Sequence, residues 1–191
     1  MKLKKLNAAL ALLAIILALA HIGWSVFAYL TFRYDPFMKN LTAIPFLVAV
    51  LLHAVLGMCI VFLRADGTRL DLYPRLNVRT VLQRVSAALI LPLLLLHTRT
   101  FGLMSGLAGP GRGLLIALLL LAQALFYAAV LTHVATSFTR ALITLGLLTD
   151  AKKLRALDLA VWILCGALFA AAVVIVIRTQ LIMFLSPGGA A

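Results

Sequence analysis

Four histidines, His21, His53, His97 and His133, are the only imidazoles in the 191 residues, and each falls inside or at the end of a long apolar run. A neutral imidazole carries a proton on one ring nitrogen and a lone pair on the other, which makes it the commonest protein ligand for a metal. A strongly polar side chain in hydrocarbon is costly and marks a functional site by default. One such histidine alone could be an imidazole hydrogen-bonded between helices. Four, one in each of four runs, point to paired metal ligation.

The elements that must position them follow from composition. Apolar residues make up 65% of the chain and charged ones only 12%, with a mean hydropathy of +1.16, far from the roughly 25% charged of soluble domains. A helix crossing about 30 Å of hydrocarbon needs about 20 apolar residues. Five such stretches are present: Leu6 to Phe32, Leu41 to Leu63, Val81 to His97 or a turn beyond, Leu114 to Phe138, and Leu157 to about Leu185. None alternates as a membrane-barrel strand does. The expected fold is all-α and integral to the membrane: a single domain over 1–191 with five transmembrane helices, the first four bundled around the histidines. The Lys-rich start and Ala18-Leu19-Ala20 imitate a cleavable leader, but the apolar run continues through Trp24, Val26 and Phe27, so the first helix is expected to be kept.

Orientation follows from the basic residues, which are retained on the cytoplasmic side. Lys2, Lys4, Lys5, Arg64, Arg69, Arg75, Arg79, Arg84, Arg140, Lys152, Lys153 and Arg155 fall on one side, against Arg33, Lys39, Arg99, Arg112 and Arg178 on the other. The N-terminus is therefore expected in the cytoplasm and the protein in the inner (cytoplasmic) membrane. The net charge of +12 sits in loops flanking the membrane, with no soluble module to bind nucleic acid. Anionic lipid or an acidic cytoplasmic partner accounts for it.

Depth sorts the histidines. From the inner ends of their runs, and with a rise of 1.5 Å per residue, His21 and His97 both lie roughly 23 Å deep, whereas His53 and His133 lie roughly 15 Å and 8 Å deep. Two levels result, and His21 pairs with His97 as His53 does with His133. Paired imidazoles at one depth are the axial ligands of a b-type haem, so two haems are expected. Small residues lie one turn away on the same faces: Ala14, Ala18, Ser25 and Ala28 for His21, Ala49 and Gly57 for His53, Ala129, Thr136 and Ser137 for His133. His97 has Leu93 and Phe101 instead. Gln83, Arg84, Ser86 and Arg140 stand at the inner boundary, where they could meet haem propionates.

Other metal chemistry lacks its ligands. The acidic residues are Asp35, Asp66, Asp71, Asp150 and Asp158, with no Glu, and all lie in loops or at helix ends. A di-iron centre, zinc, or the ionisable relay of a proton-driven transporter is therefore unsupported. Cys59 and Cys165 belong to no C-x-x-C or C-x-x-C-H motif and read as small packing residues. Trp24 and Trp162 read as packing or interfacial residues, and Arg178, near a helix end, as a snorkelling one.

The helix order and histidine placement resemble the cytochrome b membrane anchor of succinate dehydrogenase and quinol:fumarate reductase in its five-helix, two-haem form. Leu82-Gln83-Arg84-Val85-Ser86-Ala87 before His97 is similar to the family's L-Q-R-x-[ST]-G, with Ala87 in place of the Gly. His133-Val134-Ala135 running to Leu145-Gly146-Leu147 is similar to its H-x-A and W-G-I, with Leu145 in place of the aromatic. Leu131 and Thr132 stand where some members have Glu, so proton compensation by such a residue is not expected. The resemblance implies His21 and His97 at the distal haem and His53 and His133 at the proximal one. It also implies an iron-sulfur subunit docked on the basic face, a flavoprotein subunit carrying the dicarboxylate chemistry, and a membrane quinone, menaquinone by expectation, as exchangeable substrate. Candidates to hydrogen-bond the quinone are Tyr34, Asp35 and Arg99. The rival readings are a cytochrome b of another dehydrogenase or hydrogenase, a non-haem transporter, and a purely structural anchor.

Overall fold

In hydrocarbon each backbone N–H and C=O must be satisfied within its own segment, so apolar runs of this length fold as helices. The computed structural model describes residues 2–63 and 74–185. They form α1 (Lys2–Thr31), α2 (Pro36–Leu63), α3 (Pro74–Gly106), α4 (Arg112–Leu145), α5 (Ala151–Ala172), a π-turn (Val173–Ile177) and α6 (Arg178–Leu185). Among the described residues there is no strand. Five spans are long and apolar enough to cross a membrane, the last running unbroken from Ala151 to Leu185. This is the make-up of a multi-pass membrane protein, and bulky apolar side chains such as Ile16, Leu95, Leu114 and Ile163 face outward as contact with lipid tails requires.

The helices run past the limits expected from hydropathy. Polar residues end an apolar run but not a helix, which ends where its free backbone groups find caps. Asp35 starts α2 by accepting from the N–H groups of Phe37 (2.8 Å) and Met38 (3.4 Å), five residues ahead of the expected Leu41. Asp150 starts α5 in the same way through Lys152 and Lys153 (2.7 and 3.0 Å), ahead of Leu157. α4 continues past Phe138 to Leu145. There Gly146, at φ 80°, lets its own N–H reach Ile143 O and that of Leu147 reach Leu142 O, a Schellman cap that needs a residue at ease in the left-handed region. Arg64 and Arg69 of the expected basic loop, with Asp66 and Asp71, lie outside the described residues, as does the side chain of Arg75.

Longer helices re-level the histidines. His53 is ten residues before Leu63 and His133 twelve before Leu145, roughly 15 and 18 Å from one end of the bundle. His21 lies nineteen residues after Lys2 and His97 nineteen after Val78, where the third span begins. Two levels remain, better matched than the expected lengths gave.

α1 packs on α2 and α4, and α3 on α4. The order around the bundle is therefore α2, α1, α4, α3, with α1 and α3 on one diagonal and α2 and α4 on the other. α5 lies outside against α4, where Val161 and Cys165 pack on Ala135. Both cysteines are free.

A polar knot fastens the basic end. The Arg79 guanidinium of α3 donates to the Ala135 and Thr136 carbonyls and the Thr139 hydroxyl of α4, and to both carboxylate oxygens of Asp158 in α5 (2.6 and 3.0 Å). Thr139 also donates to Asp158. A bidentate arginine–carboxylate pair fixes orientation as well as energy, and here it joins three helices. Replacing Asp158 with Ala should strand the guanidinium against α4 and cost about 2 kcal/mol, a fall of roughly 4–8 °C in Tm. Thermal unfolding of the detergent-solubilised protein measures it, and an unchanged Tm would show the knot to be incidental.

Candidate functional site

The site is built from the imidazoles outward. His53 of α2 and His133 of α4 face each other across the bundle, their ring centres 6.1 Å apart and their planes 65° from parallel. His21 and His97 stand on the other diagonal, on α1 and α3. The diagonals of the bundle thus bring together the same pairs that depth selects.

Each imidazole is held through Nδ1. His53 Nδ1 lies 3.2 Å from the Asn7 carbonyl and His133 Nδ1 3.1 Å from the Gln83 carbonyl. A carbonyl oxygen only accepts, so both nitrogens carry the proton. A helical carbonyl has a second lone pair to offer besides the one used in the helix. His21 Nδ1 stands 3.4 Å from the Thr42 hydroxyl, whose own proton goes to the Met38 or Lys39 carbonyl, so here too the ring donates. His97 Nδ1 is 2.6 Å from Gln123 Oε1. The Gln123 amide is oriented by its Nε2, which donates to Thr100, whose proton is given in turn to Leu96 O. Tyr127 adds a second donor to Gln123 Oε1 at 3.3 Å.

With Nδ1 protonated, the lone pair of all four rings lies on Nε2. Fixing the tautomer through the far nitrogen is the usual second-shell arrangement of a metal-ligating histidine. Among the described residues no group of three or more His, Cys, Asp or Glu could hold an ion. The donor set is two imidazoles per level, which suits a metal bringing its equatorial ligands with it, as haem iron does. For His53 and His133 the 6.1 Å between ring centres has the length that two metal–nitrogen bonds of about 2.0 Å would span if both Nε2 atoms turned to a common metal.

The packing around the rings differs from a simple small-residue cradle. Ala14, Ala49, Ala129 and Thr136 are buried as expected, but phenyl rings flank the upper pair. Phe46 stacks on His21 at 5.9 Å and Phe126 on His97 at 4.7 Å. Phe101, expected beside His97, packs instead on Phe184.

Three of the four residues expected to meet anionic groups gather beside His133. Arg140 donates to Gln83 Oε1 (2.9 Å) and Thr80 Oγ1 (3.1 Å). Ser86, buried, gives its proton to Gln83 O and lies 3.5 Å from His133 Nδ1. Arg84 sits half-buried on the same turn of α3. The other candidates do not converge. Asp35 is occupied as the α2 cap, Tyr34 is 71% exposed with the Lys39 ammonium 6.0 Å from its ring centre, and Arg99 lines an open groove of about 450 Å³ on α3 with Leu95, Leu96, Gly102 and Leu103. Among the described residues no hydrogen bond or ion pair joins Arg99 to the other two.

Of the residues that hold the rings, sequence reasoning missed Asn7, Thr42 and Gln123 and named Gln83 for its side chain alone. Gln123, 2% exposed, carries a readable signal, as the only amide in the Leu114–Phe138 run. Asn7 and Gln83 act through their backbones, where no side-chain pattern could show it. Replacing Gln123 with Leu should orphan the His97 N–H and the Thr100 acceptor and cost about 1–3 kcal/mol. Gln123→Glu, which keeps an acceptor oxygen, should recover most of the loss. Thermal unfolding of both variants tests this; equal losses would refute the acceptor role.

No protein-family model matches the chain, and neither the curated proteins nor the solved structures compared with it include a match.

Proposed function

We propose that the chain is a di-haem cytochrome b, the membrane anchor of a succinate dehydrogenase or fumarate reductase complex. One observation carries this reading: four imidazoles on two diagonals of the bundle, His53 facing His133, each with Nδ1 held by an oxygen and Nε2 left to ligate. His21 and His97 would hold one haem b and His53 and His133 the other. Bound haem supplies one-electron redox chemistry at each level, and two levels make a path across the bilayer between membrane quinone and a cytoplasmic iron-sulfur subunit.

The chain's own groups prepare that path. The Asn7 and Gln83 carbonyls, Thr42 and Gln123 keep each ring in the tautomer that presents Nε2 and stop it rotating about its side-chain bonds. Phe46 and Phe126 cover the upper rings and exclude water from them. Gln83, Ser86, Arg84 and Arg140 offer donors and positive charge to the carboxylates of the lower haem at the boundary, where a charge-assisted bond is strong.

The basic end of the bundle, with Lys2, Lys4, Lys5, Lys152, Lys153 and Arg155, would face the cytoplasm of a cell whose inner membrane holds the protein. An iron-sulfur subunit with an acidic surface would dock there, next to a flavoprotein subunit that interconverts succinate and fumarate. Dicarboxylate chemistry would belong wholly to that partner.

An absorption spectrum of the purified protein, reduced minus oxidised, is the direct test. A b-type α-band with about two haems per chain is expected. His21→Ala or His97→Ala should remove one haem and leave the other, and His53→Ala or His133→Ala should do the converse. A protein purified with no haem, and binding none when haem is added, would sink the reading and favour a transporter that uses its histidines as polar contacts.

A further inference from the structure

The four bonds that hold the rings are not alike. Those of His53 and His133 end on backbone carbonyls at 3.2 and 3.1 Å, and that of His21 on a hydroxyl at 3.4 Å. His97 has an amide oxygen, Gln123 Oε1, at 2.6 Å, the shortest of the four. A helical carbonyl takes its direction and its strength as an acceptor from the helix. An amide side chain takes both from its own partners.

Two partners act on Gln123 from opposite ends. The Thr100 hydroxyl gives its proton to Leu96 O and accepts from Gln123 Nε2. That bond decides which end of the amide faces His97, and an amide that donates through its nitrogen is polarised into a better acceptor at its oxygen. Tyr127, one turn after Gln123 on α4, donates to the same Oε1 at 3.3 Å, and two donors on one oxygen divide its electron density. Thr100 therefore strengthens the bond from His97, and Tyr127 weakens it. The group is closed to outside partners. Thr100 is 1% exposed and Gln123 2%, Phe126 stacks on the His97 ring, and Tyr127 stands edge-on to it with 6.0 Å between centres.

A ring whose N–H bond is strong holds more electron density at its far nitrogen and donates more to a metal there. Hydrogen bonding behind an axial ligand is one of the means by which a protein sets the potential of haem iron. Density passed to iron favours the ferric state, so a stronger His97 bond lowers the potential and a weaker one raises it.

We infer that Thr100 and Tyr127 are positioning residues that set, in opposite senses and through the Gln123 amide, the donor strength of His97 Nε2. The effect on the ring stands on the hydrogen bonds; its consequence for a haem potential rests on the haem reading above.

The test uses the full chain in lipid nanodiscs with isotope-labelled histidine. NMR under reducing conditions reads the His97 Nδ1–H proton, and a spectroscopic redox titration reads the haems of the same variants. Tyr127→Phe should move the proton resonance downfield, as a strengthened bond does, and lower the potential of one haem. Thr100→Val should move it upfield and raise that potential, and Thr100→Ser, which keeps the hydroxyl, should do neither. The expected change is several-fold in the ferrous-to-ferric ratio at a fixed applied potential, where tenfold corresponds to about 59 mV, and the other haem should not move. Loosened packing by itself would weaken the His97 bond in both variants, so shifts of one sign, or none, would overturn the proposal. Should Thr100→Val fail to fold, which circular dichroism reports, Tyr127→Phe decides by its sign, and an upfield or unmoved resonance overturns it. Opposed proton shifts in a chain that binds no haem would overturn the haem reading alone, and haem without opposed shifts this inference alone.

Discussion

Inside a bilayer an imidazole N–H has no water to turn to, and that constraint organises the four-helix part of this protein. Each histidine must find its acceptor on a neighbouring helix, and it does so reciprocally. α1 offers the Asn7 carbonyl to His53 of α2, and α2 offers Thr42 to His21 of α1. α3 offers the Gln83 carbonyl to His133 of α4, and α4 offers Gln123 to His97 of α3. Two hairpins therefore carry the same device. In each, a backbone carbonyl lies fourteen residues before the first histidine, at Asn7 and His21 and again at Gln83 and His97. A side-chain acceptor lies eleven or ten residues before the second, at Thr42 and His53 and at Gln123 and His133. At 1.5 Å per residue these intervals span roughly 15–21 Å, which separates the two levels. The hydrogen bonds of the rings stay within a hairpin, whereas His53 and His133 face each other between hairpins. Tautomer and pairing are thus set by different contacts.

The two levels are not equivalent. At the lower level the acceptors are backbone carbonyls, whose positions are as rigid as the helices themselves, and the ring centres stand at a separation suited to a shared metal. At the upper level the acceptors are side chains, a threonine and an amide, and phenyl rings stack on both imidazoles. A side-chain acceptor can be tuned by its own partners, and Gln123 has three: His97, Thr100 and Tyr127. Through Gln123 the His97 ring is thereby coupled to Thr100 and Tyr127.

Much of this was legible in the residues. Five apolar runs became five spans, and depth put His53 level with His133, which face each other, because the helical rise is fixed and hydropathy locates each run against the bilayer. The ends were misjudged for one physical reason. Hydropathy reports where hydrocarbon begins, while Asp35, Asp150 and Gly146 decide where helices begin and end, and the two differ by up to two turns. Arg79 and Asp158 were read only as charges at the ends of runs, because their pairing depends on α3 and α5 both meeting α4 at Thr139. Ser86 and Gln83 were found near His133 through their types, yet Gln83 acts on the ring through its carbonyl, which every residue possesses. Nothing local in the sequence Val173-Val174-Ile175-Val176-Ile177 announces a π-turn, since its residues are as apolar and helical as those around it.

The fifth span explains why such a turn is tolerated. It carries no histidine, yet it is pinned at both ends: by Asp158 to the Arg79 knot on α3 and α4, and by Gln180 to Tyr29 on α1. Near that second end Arg112 of α4 also donates to the Phe184 carbonyl at 2.8 Å. A straight α-helix presents one face along its length and would stay on α4 throughout. Above the π-turn the fifth span keeps Phe184 on α4 while Gln180 reaches Tyr29 on α1, and the added residue widens the face it presents. Beside the packing of α1 on α4, a brace on both hairpins is supplied from outside, by the one span that carries no histidine.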